Sequence, residues 1–218
     1  MDIKLLQHIR LFAALDENDL QALAKHFVQR HHPKNSIIIN EGDSTNSLYI
    51  ILSGRVKVFL NDENGKEVTL NVEGPGEYFG EVSLFDDGKR SASVITLENC
   101  QFAILEKQEF LNCIGQNPTL AISIIQGLTG RLRALSENVR SLALMDVYGR
   151  VAHTLLEMAH EQDGHWVIDE KLTHVELANR VGASSKMVSR IMQDLKKGGY
   201  ITKNAKQIII ERPLPPAW

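Results

Sequence analysis

Two groups of residues in this 218-residue chain have types and spacing that could do chemistry. The first is Gly76-Glu77-Tyr78-Phe79-Gly80-Glu81-Val82-Ser83-Leu84, followed after a short loop by Arg90-Ser91-Ala92. A glycine-rich turn that opens a short helix offers backbone amides to an anion, and Arg90 can neutralise a phosphate through a paired hydrogen bond. Glu81 could accept a hydroxyl such as that of a ribose. The same spacing also fits an ordinary strand connection with a surface arginine and an acid, and the residues by themselves leave both readings open.

The second group is Ser185, Lys186, Ser189 and Arg190. Val188, Ile191 and Leu195 recur at helical spacing and take the buried stripe, which leaves these four on the outer face near the helix start. Arg190 can donate two bonds to a guanine edge, while Lys186 and the serines can reach bases or phosphates. The helix N-terminus itself attracts phosphate. Charge is distributed to match. The formal net charge is −3, yet residues 180–206 carry seven Lys/Arg against the single acid Asp194, whereas residues 1–145 carry 14 Lys/Arg and 18 Asp/Glu. A basic run alone is commonly a solvated face, so its meaning depends on the pattern laid over it.

That pattern is a helix-turn-helix. Thr173-His174-Val175-Glu176 matches a capping box, in which Thr173 accepts the amide of Glu176 and Glu176 reaches back to the cap amide. The helix begun there ends near Gly182, and Ser184 can cap a second one. Gly198-Gly199 stops the second helix. Tyr200-Ile201-Thr202 and Gln207-Ile208-Ile209-Ile210 then flank a polar turn as a wing-like hairpin, where Lys203 and Lys206 are candidate phosphate contacts. Upstream, Asp146 is a plausible cap for a helix over 147–160, followed by a turn at Asp163-Gly164.

Between Ile37 and about Leu105, short β-branched and aromatic runs alternate with glycines. Leu48–Leu52, Val56–Leu60 and Val68–Val72 read as strands, with Asn64-Gly65 as a two-residue hairpin turn. Their regular spacing predicts an antiparallel barrel or jelly roll. Leu11, Leu15, Leu20, Leu23 and Phe27 predict helices covering one end of it. After Pro118, Ala121, Ile125, Leu128, Leu132, Leu135, Val139 and Leu142 follow at spacings of 4, 3, 4, 3, 4 and 3, a heptad seam that predicts a helix paired with a second copy. On this reading Arg131, Arg133, Glu137 and Arg140 keep the outer faces polar, and Gly127 and Gly130 permit close backbone approach along the seam. The fold class is α+β: an N-terminal double-stranded β-helix (jelly roll) over 1–117, a dimerisation helix over 118–145 and a winged helix-turn-helix over 146–218.

With 43% hydrophobic and 23% charged residues the chain is outside the disordered and fibrous classes. No apolar run approaches the roughly 18 residues of a membrane span. Lys4, Arg10 and Asp16 interrupt any secretory signal, which favours a cytoplasmic protein with no membrane partner. Cys100 and Cys113 are too few for a four-thiolate metal site and read as structural thiols. His8, His26, His31 and His32 read as surface or packed histidines rather than haem ligands, so no metal is expected. No nucleophile–base pair or metal set points to catalysis, and no catalytic residue is assigned.

Taken together, Phe79-Gly80-Glu81-Val82-Ser83-Leu84-Phe85, Arg90-Ser91-Ala92, the seam helix and Met145-Asp146-Val147-Tyr148-Gly149-Arg150 closely resemble the Crp/Fnr family of bacterial transcription regulators over nearly the whole chain. The resemblance implies a cyclic-nucleotide-binding β-roll, a dimerising helix and a DNA-binding winged helix-turn-helix. It matches Arg90 and Ser91 to the cyclic-phosphate binders, Gly80 to an amide donor and Glu81 to the acceptor of the ribose 2′-hydroxyl. It implies a homodimer on a near-palindromic double-stranded operator, RNA polymerase as a further partner, and an effector such as cyclic AMP or another cyclic nucleotide rather than a required cofactor.

Two departures from the family pattern bear on specificity. Where a cyclic-AMP-responsive member of the family presents a Thr-Ser pair to the adenine, this chain has Leu135-Ser136, and Leu135 can pack against a base but cannot receive its amine. The nine-residue separation of Glu81 and Arg90 is similar to that in the cassettes of kinase regulatory subunits. In the recognition helix an Arg-Glu pair is replaced by Ser185-Lys186, while Arg190 matches the third base reader, so the operator should differ. Iron–sulfur sensing would need an N-terminal cysteine cluster that is lacking. The expected function is a ligand-responsive homodimeric DNA-binding regulator controlled by a cyclic nucleotide. Its near alternative acts without ligand or with another effector such as cyclic di-GMP, and the alternative of another class is a nucleotide-sensing regulatory subunit of an enzyme.

Overall fold

The computed structural model describes residues 3–13, 15–86, 88–162, 164–170, 172–204 and 207–215, without the side chains of Ile3 and Arg10. Asp163 and Lys206, assigned above to a turn and to the wing, lie outside the described residues. The chain divides into two compact units, Met1–Arg133 and Ala134–Trp218.

The first unit opens with α1 (Ile3–Gln7), a 3-10 turn at Arg10–Phe12 and α2 (Glu17–Ala24). Asp16 caps α2 by accepting the Asp19 amide at 2.9 Å. As expected, Leu11, Leu15, Leu20, Leu23 and Phe27 are buried, in one core with Leu48, Ile50, Leu105 and Phe110 of the roll. The chain then runs through β1 (Val28–His32), β2 (Ile37–Ile39), β3 (Ser47–Ser53), β4 (Val56–Asn61), β5 (Glu67–Glu73), β6 (Tyr78–Phe79), α3 (Val82–Phe85), β7 (Ser93–Thr96) and β8 (Cys100–Glu106). They form two antiparallel four-stranded sheets, ordered β1-β8-β3-β6 and β2-β7-β4-β5. Residues of both sheets, including Ile39, Ile51, Val56, Val94 and Phe102, make a second core. Burial alternates along β3, β7 and β8, the period-two pattern that suits β-branched and aromatic residues to a pleated sheet.

The β4–β5 connection is longer than the Asn-Gly pattern predicts. Asp62 accepts the amides of Asn64 at 2.9 Å and Lys66 at 2.8 Å, and Gly65 alone takes a positive φ there. A two-residue turn of type I′ needs both central residues in that region, and the aspartate side chain offers the backbone an alternative.

Two helices follow, α4 (Lys107–Gln116) and α5 (Pro118–Leu144). Leu120 and Ile124 of α5 are buried in the first core and Leu128 packs against it. Ile125, Leu132, Leu135, Val139 and Leu142 are 61%, 63%, 50%, 58% and 50% exposed. The heptad series therefore divides: Leu128 turns toward its own roll, Ala121 is half-buried, and the other five form an exposed apolar stripe. No described helix is long and apolar enough to cross a membrane.

In the second unit Asp146 accepts the Gly149 amide at 2.7 Å and caps α6 (Val147–Met158). That helix ends two residues earlier than predicted. His160–Gln162 forms β9 instead and pairs with β10 (His165–Ile168), a hairpin too short for its alternation to register in the sequence. Then come α7 (His174–Val181), α8 (Ser185–Lys197), β11 (Ile201–Lys203) and β12 (Ile208–Ile210), with the strands in the order β11-β12-β10-β9. The helix-turn-helix and the wing thus fall where the capping and turn residues predict them.

Candidate effector cassette and nucleic-acid interface

β6 leads into a turn at Gly80, whose φ is +82°. A Cβ there would lie 2.6 Å from Arg90 Nη1 and 3.0 Å from the Ser47 carbonyl, so both conformation and space demand glycine. Arg90 is only 3% exposed. Its Nε donates to Thr45 Oγ1 at 3.0 Å, Nη1 to the Gly80 carbonyl at 2.5 Å and to Ser83 Oγ at 3.0 Å, and Nη2 to the Ser47 carbonyl at 2.8 Å. Burial lowers its pKa, against the opposing pull of Tyr49, Glu81 and Asp43. A surface arginine on an ordinary strand connection does not describe this residue: its side chain ties β3, the Gly80 turn and α3 together. Gly80 contributes its carbonyl to that cage, and Ser91 is exposed beside Arg90.

Glu81 is 3% exposed, and its partner was not anticipated. Arg131, expected on the outer polar face of α5, points instead into its own cassette. Its Nη1 lies 2.5 Å from Glu81 Oε1, its Nη2 lies 3.3 Å from Glu73 Oε1 and also donates to the Tyr78 carbonyl, and its guanidinium lies 4.6 Å from the centre of the Tyr78 ring. Burial opposes the charge on Arg131, but Glu81 and Glu73 outweigh it and its pKa is raised. Glu73, equally missed, accepts from Asn71 Nδ2 at 2.9 Å, and burial raises its pKa against the pull of Arg131. A signal for Arg131 was available: it continues the 4- and 3-residue spacing of the buried Ile124 and the partly buried Leu128, which both face the roll.

Gly127, read as part of the seam, also faces inward. A Cβ at Gly127 would overlap the Tyr78 hydroxyl, whereas Gly130 opens onto space among the described residues.

In the second unit the capping box forms as predicted: Thr173 N donates to Glu176 Oε2 at 2.8 Å and Glu176 N to Thr173 Oγ1 at 3.1 Å. Gly182 ends α7 with φ +63°, and Ser184 accepts the Met187 amide at 3.3 Å to cap α8. Val188, Ile191, Met192 and Leu195 are buried, which leaves Ser185, Lys186 and Arg190 exposed and Ser189 half-buried. Met187, 47% exposed on the same helix, was not anticipated and suits contact with a thymine methyl. Lys203 is half-buried, and its Nζ donates to the Leu172 carbonyl at 2.8 Å, which ties the wing to the start of α7. Arg150 donates to the Val181 carbonyl at 2.8 Å and to that of Met145 at 2.9 Å, locking α6 onto the end of α7. Leu135 and Ser136 are both exposed on α5 and belong to this unit.

Residues 29–117 match the model of the cyclic nucleotide-binding domain and residues 149–213 that of the Crp-like helix-turn-helix domain. The chain is 30% identical over 211 residues, 95% of its length and 94% of the relative's, to a CRP-like cAMP-activated global transcriptional regulator of Mycobacterium tuberculosis. The chain belongs to the Crp/Fnr family of transcription regulators. It is 34% identical over 183 residues to the cAMP-activated global transcriptional regulator CRP of Salmonella typhimurium, covering 82% of this chain and 87% of that one. The fold agrees with that of the c-di-GMP-responsive global regulator CLP of Xanthomonas campestris, at a TM-score of 0.78 and 24% identity over 89% of this chain and 99% of that one.

As a Crp/Fnr regulator, the chain pairs a cyclic-nucleotide-binding domain with a DNA-binding domain and is not an enzyme. Its relatives regulate transcription, which removes the reading as a regulatory subunit of an enzyme. Arg150, quoted above for its part in the family resemblance, has a structural explanation here, since it holds the helix-turn-helix to α6.

Proposed function

We propose that this regulator is a homodimer that binds a cyclic nucleotide in the Gly80–Arg90 cassette and a near-palindromic operator through α8, acting with RNA polymerase in the cytoplasm. The observation that carries the effector half is the convergence of Gly80, the buried Glu81 and Arg90, the half-buried Arg131 and a second buried acid, Glu73, in one cassette. A cyclic phosphate reaching Arg90 exchanges one or two of its protein acceptors for phosphate oxygens, with the Ser91 hydroxyl beside it. Glu81 accepts the ribose hydroxyl. By the family resemblance, Leu135 and Ser136 serve the base, Leu135 through packing alone.

The exposed stripe from Ile125 to Leu142 supports assembly with a second copy, since a row of half-exposed aliphatic side chains is costly in water. Ser185, Lys186, Ser189 and Arg190 read the major groove, and Lys203 and Lys206 hold the backbone. Calorimetric titration with cyclic AMP, cyclic GMP and cyclic di-GMP tests the effector half. Binding of either mononucleotide supports it, and binding of cyclic di-GMP alone, or of none, overturns it.

A further inference from the structure

Glu73 is a buried carboxylate to which effector binding, as described, gives no task. It ends β5, is 8% exposed, and shares Arg131 with Glu81. Arg131 Nη1 is 2.5 Å from Glu81, while Nη2 is 3.3 Å from Glu73, so one guanidinium serves two buried acids and is held more tightly by the first. An unpaired buried carboxylate is expensive, and an apolar side chain would end β5 at lower cost. Arg131 meanwhile rests over the Tyr78 ring and on the Tyr78 carbonyl, a support that does not depend on which acid it faces.

A ribose hydroxyl that donates to Glu81 draws on the carboxylate that neutralises Arg131. Without Glu73, an Arg131 that lost Glu81 would have neither of its two carboxylate partners in the cassette. We propose that Glu73 is the alternative seat of Arg131: when the ribose hydroxyl takes Glu81, the guanidinium shifts its principal ion pair to Glu73 and stays anchored in the cassette. Glu73 is then a positioning residue that sets effector affinity without touching the effector. This rests on the effector reading given above.

Proton linkage follows from the surroundings of Glu73. Arg131 faces it from α5, Glu77 and Glu81 from the segments flanking β6, and Asn71 from β5. Arg55, which precedes its β4 partner Val56, is paired with Glu98. Burial, Glu77 and Glu81 raise the Glu73 pKa, and a closer Arg131 lowers it. A closer Arg131 therefore favours the carboxylate form of Glu73, so the linkage has one sign: binding promotes proton release from Glu73, and effector affinity rises with pH.

The test is calorimetric titration of the full-length protein with cyclic AMP and cyclic GMP from about pH 5.5 to 8, in buffers of different ionisation enthalpy. Wild type, Glu73→Gln and Glu73→Asp are compared. Wild-type affinity should rise with pH and show proton release. Glu73→Gln should bind about tenfold more weakly at the upper end and lose the pH slope, because an amide accepts from Arg131 without a charge. Glu73→Asp should restore part of both, and it carries the test if Glu73→Gln does not fold. Unchanged affinity and an unchanged pH profile in the folded variants would overturn the role of Glu73 while leaving the effector reading intact. A wild-type protein that binds neither nucleotide overturns both.

Discussion

Gly127 of α5 faces the hydroxyl of Tyr78 so closely that any Cβ at this position would overlap the phenol oxygen. That hydroxyl is buried without a hydrogen-bond partner among the described residues. Gly127→Ala should therefore destabilise the protein by about 1 to 3 kcal/mol through overpacking, despite alanine's better helix propensity. Gly130→Ala, on the same helix but with open space, should stabilise by up to about 1 kcal/mol. Tyr78→Phe should rescue much of Gly127→Ala. Urea midpoints of the four proteins decide the matter, and equal effects of the two glycine substitutions would exclude the packing account.

Arg90 should prove as important for folding as for the effector. Arg90→Ala leaves the acceptors on Gly80, Ser47, Ser83 and Thr45 without their buried donor. A loss of about 2 to 4 kcal/mol of stability is expected together with loss of nucleotide binding. Thermal denaturation followed by titration at a temperature where the variant is folded separates the two effects. An unchanged melting temperature would mean that the cage around Arg90 contributes no net stability.

The proposed assembly through the exposed stripe of α5 is open to a charge test. Leu132→Glu places two like charges near one another if two copies pair along it. The dimer should weaken at least tenfold, read by sedimentation at micromolar protein. Undiminished association would assign the dimer contact to another surface.

His174, the first residue of α7, has its pKa lowered, chiefly by burial and further by Lys203. The unfolded chain therefore binds the proton more readily. His174 contributes stability that is present above the ordinary histidine value and is lost as pH falls through it toward the depressed folded value. His174→Gln should flatten this slope between about pH 7 and 5, measured as the difference in urea midpoint between variant and wild type. A parallel decline in both would assign the acid sensitivity to other groups.

On DNA, Arg190→Ala should cost roughly 1 to 3 kcal/mol of discrimination at one base pair per half-site. Lys203→Ala should weaken all duplexes similarly and reduce the salt slope. Because Lys203 also holds the Leu172 carbonyl, that variant should in addition lose some thermal stability. Titration of a selected operator and a scrambled duplex at several salt concentrations distinguishes the cases. Equal loss on both duplexes for Arg190→Ala would make it a phosphate contact.

The local order of this protein was legible because it is written over short distances. The Thr173–Glu176 capping box, the Asp146 and Ser184 caps, the stop at Gly198-Gly199 and the apolar spacing of α8 each depend on residues within a turn or two of one another. Local geometry decides such features before any tertiary contact forms. Where local signals competed, prediction failed: Asp62 captured the amides that an Asn-Gly hairpin would have left to the backbone, and a three-residue strand at His160–Gln162 carried too little alternation to read. The tertiary structure alone decided what surrounds Glu81 and Tyr78 of the cassette. Arg131 is 50 residues from Glu81, and Gly127 is as remote from Tyr78. On a helix, an arginine at the margin of an apolar stripe is equally at home in water or over a carboxylate. Its choice depends on whether the roll has brought buried acids within reach, and Glu73 at the end of β5 and Glu81 after β6 are brought together by the folded roll, not by any pattern along the chain.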